Sequence, residues 1–132
     1  MASAVSVAGD PKPEAPGSTI LVVEDEILVR LMIAEELRGQ DYNVLEAASA
    51  DEACSVLQSG VKIDLVLTDI WMPGSIDGAG LVHLIRVQRP ALKVVLASGH
   101  QPETALVDRA DGFFLKPYDV AKLLQHIKAL VD

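Results

Sequence analysis

The chain has one cysteine, Cys54, so no internal disulfide can form; this fits a reducing compartment, expected to be the cytoplasm. Basic residues are scarce, eleven Lys and Arg against nineteen Asp and Glu, which leaves a net charge of −8. A nucleic-acid or anionic-membrane surface needs clustered cations, so neither is expected as a partner. No apolar run approaches the roughly 20 residues that span a bilayer. The N-terminal stretch MASAVSVAGDPKPEAPG lacks the basic region of an export signal. Its Pro, Gly, Ala and Ser read as a disordered tail over residues 1–17.

What remains suits one domain over residues 18–132, in a chain of 132 residues that is half hydrophobic. Short β-rich runs alternate with segments of helical period. TILVV (19–23) reads as a buried strand, and EILVRLMIAEELRG (26–39) as a helix stopped by Gly39. YNVLEA (42–47) is a second strand, and Ser49 with Glu52 forms a capping box opening a helix that ends near Gly60. DLVLTD (64–69) is a third strand, followed by a helix over 78–88 that stops before Pro90. KVVLAS (93–98) is a fourth strand, residues 101–110 are weakly helical, and GFFLK (112–116) is a fifth strand. Asp119 caps a last helix, VAKLLQHIKALV. Such alternation predicts an α/β fold, a doubly wound five-stranded parallel sheet with helices on both faces. In that architecture ligands sit beyond the carboxyl ends of the strands.

Those ends carry Glu24-Asp25-Glu26, Asp69, Ser98 and Lys116-Pro117. A glycine-rich phosphate loop is missing after the first strand, and acid stands where a dinucleotide fold would approach pyrophosphate. An anion can bind at this edge only with a cation between. Oxygen-rich sites of this kind suit Mg2+, which takes one or two carboxylates and keeps several waters. With its charge compensated by metal and Lys116, Asp69 is placed to act as an aspartyl-phosphate nucleophile. Mg2+, Lys116 and the Ser98 hydroxyl would share the charge of the transferred phosphoryl oxygens.

The acidic pair Glu24-Asp25, the strand-end Asp69, the MPG turn at 72–74, the Asp77-Gly78 helix start, Ser98 and Lys116-Pro117 resemble the receiver domain of bacterial two-component response regulators. The gaps of 44 residues from Asp25 to Asp69 and 29 from Asp69 to Ser98 match that family. The resemblance covers residues 18–132 and implies a flavodoxin-like strand order 2-1-3-4-5. It makes Asp69 the phosphoacceptor and Asp25 a direct Mg2+ ligand, with Glu24 binding through water and the Trp71 backbone carbonyl as a further ligand. Lys116 would hold a phosphoryl oxygen, Ser98 would swing to meet it, and Phe113 falls on the switch aromatic, with Gly99 leaving room for its ring. The implied partners are a histidine kinase or histidine phosphotransfer protein and a downstream protein target. The chain stops at Asp132, so a stand-alone receiver is expected, acting as a phosphorylation-dependent interaction switch or phosphate relay.

Two departures stand out. Ser98 and Lys116 are 18 residues apart, about one helical turn (3.6 residues) short of the usual spacing. The deficit falls on HQPETALVDRAD (100–111), predicting a short or mobile fourth helix. This feature and the LASGH sequence resemble atypical receivers found beside certain alphaproteobacterial sensor kinases. Trp71 and His100 stand two residues after Asp69 and Ser98, positions that the resemblance implies flank the path of hydrolytic water, where an indole would shield the acyl phosphate or an imidazole would orient water. His126 reads as a surface residue. Only autocatalytic phosphotransfer and autodephosphorylation are expected, without turnover of an independent substrate. The alternatives are a non-catalytic docking module of the same fold and an aspartyl-nucleophile hydrolase. The latter needs a second acid where Trp71 stands.

Overall fold

In a computed structural model that describes residues 17–132, ten elements alternate along the chain. They are β1 (Thr19–Val23), α1 (Ile27–Gly39), β2 (Asn43–Ala47), α2 (Ala50–Gln58), β3 (Leu65–Asp69), α3 (Gly78–Gln88), β4 (Lys93–Ser98), α4 (Thr104–Asp108), β5 (Gly112–Leu115) and α5 (Val120–Val131). The tail expected over 1–17 lies outside the described residues except for Gly17, whose carbonyl accepts a hydrogen bond from Asn43 Nδ2 at 3.0 Å.

All pairings are parallel, in the order β2-β1-β3-β4-β5, so the flavodoxin-like topology is present. The strands are apolar on both faces because helices cover both. Successive strand residues point to opposite sides, which splits the core in two. Leu21, Val23, Val66, Val94 and Leu96 pack towards α2 and α3, against Leu57, Leu81, Val82 and Ile85. Ile20, Val22, Leu65, Leu67 and Val95 pack towards α1 and α5, against Ile33, Leu37, Leu123 and Ile127.

The helix starts follow the capping residues, with one amendment. Ser49 Oγ accepts from Glu52 N at 3.1 Å, but the Glu52 carboxylate returns to Ala48 N at 2.7 Å, one residue before the cap. Asp77 Oδ1 accepts from Gly80 N, and Asp119 Oδ1 from Ala121 N and Lys122 N. Gly39 does not provide the left-handed stop of α1. It is the last helical residue, and the positive φ of 70° belongs to Asp41, a residue type that tolerates that region.

The fourth helix is short, as the spacing predicted. It has five residues, none of them buried. Two basic side chains bind the connection that follows it. Arg86 of α3 donates to the carbonyls of Arg109, Pro90 and Leu92 and to Asp111 Oδ2, while Arg109 Nη2 reaches His83 Nδ1 at 3.2 Å. His126 departs from the surface role expected for it. It is partly buried, its Nε2 lies 2.7 Å from the carbonyl of Asp111, and its ring meets Phe114 edge-on.

Candidate functional site

A parallel sheet brings all carboxyl ends to one rim, and the strand order puts β1 and β3 side by side at its centre. The ladder between them runs to Val23 opposite Thr68, so Glu24 and Asp69 emerge next to each other. Glu24 Oε1, Asp69 Oδ2 and the Lys116 ammonium form one cluster: Nζ donates to Glu24 at 2.7 Å and to Asp69 at 2.9 Å. Lys116 follows β5, and its amide donates to the carbonyl of Ser98 at 2.7 Å; the long side chain then crosses the end of β4 to reach the centre. The carboxylates are nearly buried, Glu24 at 6% and Asp69 at 11% exposure, with the lysine at 22%.

Burial pushes the Glu24 carboxyl up from its ordinary value, opposed by its hydrogen bond from Lys116. For Lys116 burial disfavours the charge, but the two carboxylates outweigh it, and its pKa is raised. The ammonium is therefore a fixed cation. Glu24 Oε2 also accepts from Glu26 N at 3.1 Å, and Asp69 Oδ1 from Trp71 N at 3.3 Å.

Glu24, Asp25 and Asp69 each offer a carboxylate oxygen within 4.8 Å of the other two. Three hard oxygen donors at this spacing, two nearly buried and Asp25 exposed, fit a small divalent cation. Asp25 has no hydrogen-bond or ion-pair partner for its carboxylate among the described residues, which leaves that group available.

The α3 helix closes the site from one side. Gly78 N donates to the carbonyl of Ile70 at 2.9 Å, and a Cβ at Gly78 would collide with the Asp69 carbonyl oxygen and come within 2.6 Å of Ile70 Cα. Only glycine lets this helix start so close to the end of β3. The loop between them is tied to α2 through Asp51, which accepts from Ser75 Oγ at 2.6 Å and Ser75 N at 3.2 Å. Those bonds hold the Asp51 carboxyl below its usual range.

Other residues predicted for the site stand near it without joining the cluster. Ser98 is fully buried, and its Oγ accepts from His100 N at 3.1 Å rather than bonding to Asp69 or Lys116. Phe113 is partly buried against the core on the α2–α3 side. The place beside Gly99 is open, since a Cβ there would meet nothing within 4 Å. Trp71 is 54% exposed, and His100 is exposed.

Two neighbours of the site had no clear signal in the sequence. Tyr118 is partly buried beside the cluster, and that burial raises its phenol pKa. Arg30 of α1 donates from Nη1 to the carbonyl of Glu24 at 2.8 Å. Both contacts depend on how helices pack on the sheet, which no local pattern encodes.

Residues 20–128 match the response regulator receiver domain, and the chain belongs to that family. It is similar to the sensor kinase CckA of Brucella abortus, 32% identical over 120 residues that cover 87% of this chain and 13% of that protein. Among solved structures it resembles the response regulator TrrA of Thermotoga maritima in complex with Mg2+ and BeF, with 31% identity, a TM-score of 0.79, and coverage of 86% of this chain and 98% of that one. A second likeness is to the complex of the histidine kinase ThkA with TrrA, at 32% identity and a TM-score of 0.79, covering 87% of this chain and 99% of that one. The chain spans a small part of that curated relative, as a receiver module does within a larger protein. Among the described residues, no helix is long and apolar enough to cross a membrane.

Proposed function

We propose that this receiver domain is an Mg2+-dependent phosphoacceptor that takes a phosphoryl group on Asp69 from a phosphohistidine of a histidine kinase or phosphotransfer protein. The observation that carries this reading is the Lys116 ammonium held between Glu24 and Asp69, with Asp25 close by and without a carboxylate partner among the described residues.

Asp25 and Asp69 would hold the metal directly and Glu24 through water, with the Trp71 carbonyl completing the protein's share. Bound there, Mg2+ supplies charge neutralisation for the phosphoryl oxygens. A carboxylate oxygen of Asp69 forms the new bond to phosphorus as the P–N bond of the donor breaks, and the imidazole nitrogen keeps the electron pair and takes up a proton. Lys116 is already charged and positioned, so it stabilises the moving oxygens without reorganising. Ser98 reaches them once its oxygen releases His100 N, and Phe113 follows into the open space beside Gly99. This two-state movement is the switch that a downstream protein reads.

Next to the rim, α1 exposes Ile27, Leu28, Leu31 and Met32, and an open apolar groove of about 350 Å³ runs between Val29, Met32, Pro117, Tyr118 and Val120. A contiguous exposed apolar strip marks a protein contact. A donor docked there brings its histidine over Asp69; the complex of ThkA with TrrA supports a histidine kinase as the class of partner.

The test is mass spectrometry after incubation with acetyl phosphate and Mg2+, with Trp71 fluorescence followed on adding Mg2+ and beryllofluoride. A single phosphate on the wild type and none on Asp69→Asn is expected. An unmodified wild type with an unchanged signal rejects the reading. Full partner control by Asp69→Asn would favour a docking module without chemistry.

A further inference from the structure

The carbonyl of Glu24 lies just past the β1–β3 ladder, at the start of the acidic turn. Its own N–H is satisfied by Ala47 O at 3.0 Å, but its oxygen has left the strand pairing, and an unpaired buried carbonyl is costly. Arg30 fills that need from the β2 side of the sheet, whereas Lys116 approaches the same residue from the β5 side. The Arg30 side chain is 15% exposed and its guanidinium is held at a second point, with Nε donating to Glu46 Oε1 at 3.3 Å. Glu46 is fixed in turn by Arg38 Nη2 at 3.1 Å, itself bonded to the carbonyl of Val44 at 3.2 Å. A planar fork tied at two points has little freedom left.

That carbonyl belongs to the peptide joining Glu24 to Asp25. Fixing it fixes the peptide plane, and with it the direction in which the Asp25 side chain departs. The Asp25 carboxylate has no side-chain partner of its own among the described residues, so its aim comes through the backbone. We infer that Arg30 is a positioning residue that holds Asp25 in place to ligate the divalent cation. The inference rests on the cation-site reading above.

Charge and position predict opposite signs here. Removing a positive group beside an acidic cluster strengthens cation binding if the field alone matters. Loss of an outer partner that orients a ligand weakens it, typically by tenfold or more.

The experiment is an Mg2+ titration read by Trp71 fluorescence on the full chain, for wild type, Arg30→Met and Arg30→Lys. The expected result is a midpoint raised about tenfold in Arg30→Met and by an intermediate factor in Arg30→Lys, whose ammonium reaches one partner but not both. At saturating Mg2+ the rate of acyl phosphate formation returns to within about twofold of wild type, which a general folding defect does not allow. A folded Arg30→Met with an equal or lower midpoint overturns the inference. If that variant does not fold, Arg30→Lys decides it by the same sign. A wild type with no Mg2+ response overturns the cation site itself, whatever the variants do.

Discussion

Replacing Lys116 by methionine keeps most of the side chain's volume and removes the charge that separates two nearly buried carboxylates. Without it, oxygens of Glu24 and Asp69 face each other within 4.8 Å. At an effective dielectric near 20 that repulsion is about 3.5 kcal/mol. Relief of the lysine's own burial offsets part of this, so the metal-free variant should be about 2–3 kcal/mol less stable at neutral pH, near the lower end for broken buried pairs. For a domain of this size that is roughly 10 °C in Tm. The deficit has a pH signature. Glu24 already titrates above its ordinary value through burial, and losing its cation pushes it higher. A carboxyl whose folded pKa exceeds its unfolded one binds more protons when folded, so the variant regains stability as pH falls through the folded value. In the wild type Lys116 is raised as well, and its contribution persists below its unfolded pKa and is lost only in strong alkali. Thermal melts in chelator from pH 5 to 9, repeated with Mg2+, measure both effects. A variant as stable as wild type at pH 7, or a deficit that does not change with pH, refutes the electrostatic account of the site.

Gly78→Ala drives a Cβ into the Asp69 carbonyl, and the overpacking cost of about 1–3 kcal/mol exceeds the gain of up to about 1 kcal/mol in helix propensity. The urea midpoint should fall and phosphorylation should slow; equal or greater stability contradicts the close approach. Arg86→Ala removes donors from three carbonyls and Asp111, costing about 2 kcal/mol. Hydrogen exchange should then quicken over residues 104–111, and unchanged exchange there shows that α4 is held by something else.

Much of the site was legible along the chain because its chemistry sits at strand ends, and strand ends follow from apolar runs meeting charged or turn residues. Glu24, Asp25, Asp69 and Lys116 were identified that way, and the short α4 followed from counting residues between Ser98 and Lys116. Ser98 was placed correctly on β4, yet its hydroxyl bonds to its own loop, a rotamer choice that no sequence pattern expresses. The left-handed turn after α1 fell on Asp41 because the helix ran through Gly39, a boundary that packing fixed.

By itself the sequence determined the alternation of strands and helices, the all-parallel sheet and the residue types at its rim, since hydrophobic period and local capping act over a few neighbours. Only the tertiary structure decided that one lysine bridges two carboxylates, that Arg30 grips the Glu24 carbonyl and that Gly78 admits α3 beside Asp69. The Lys116 bridge joins segments 92 and 47 residues apart, and the two shorter-range contacts depend on how α1 and α3 settle against the sheet.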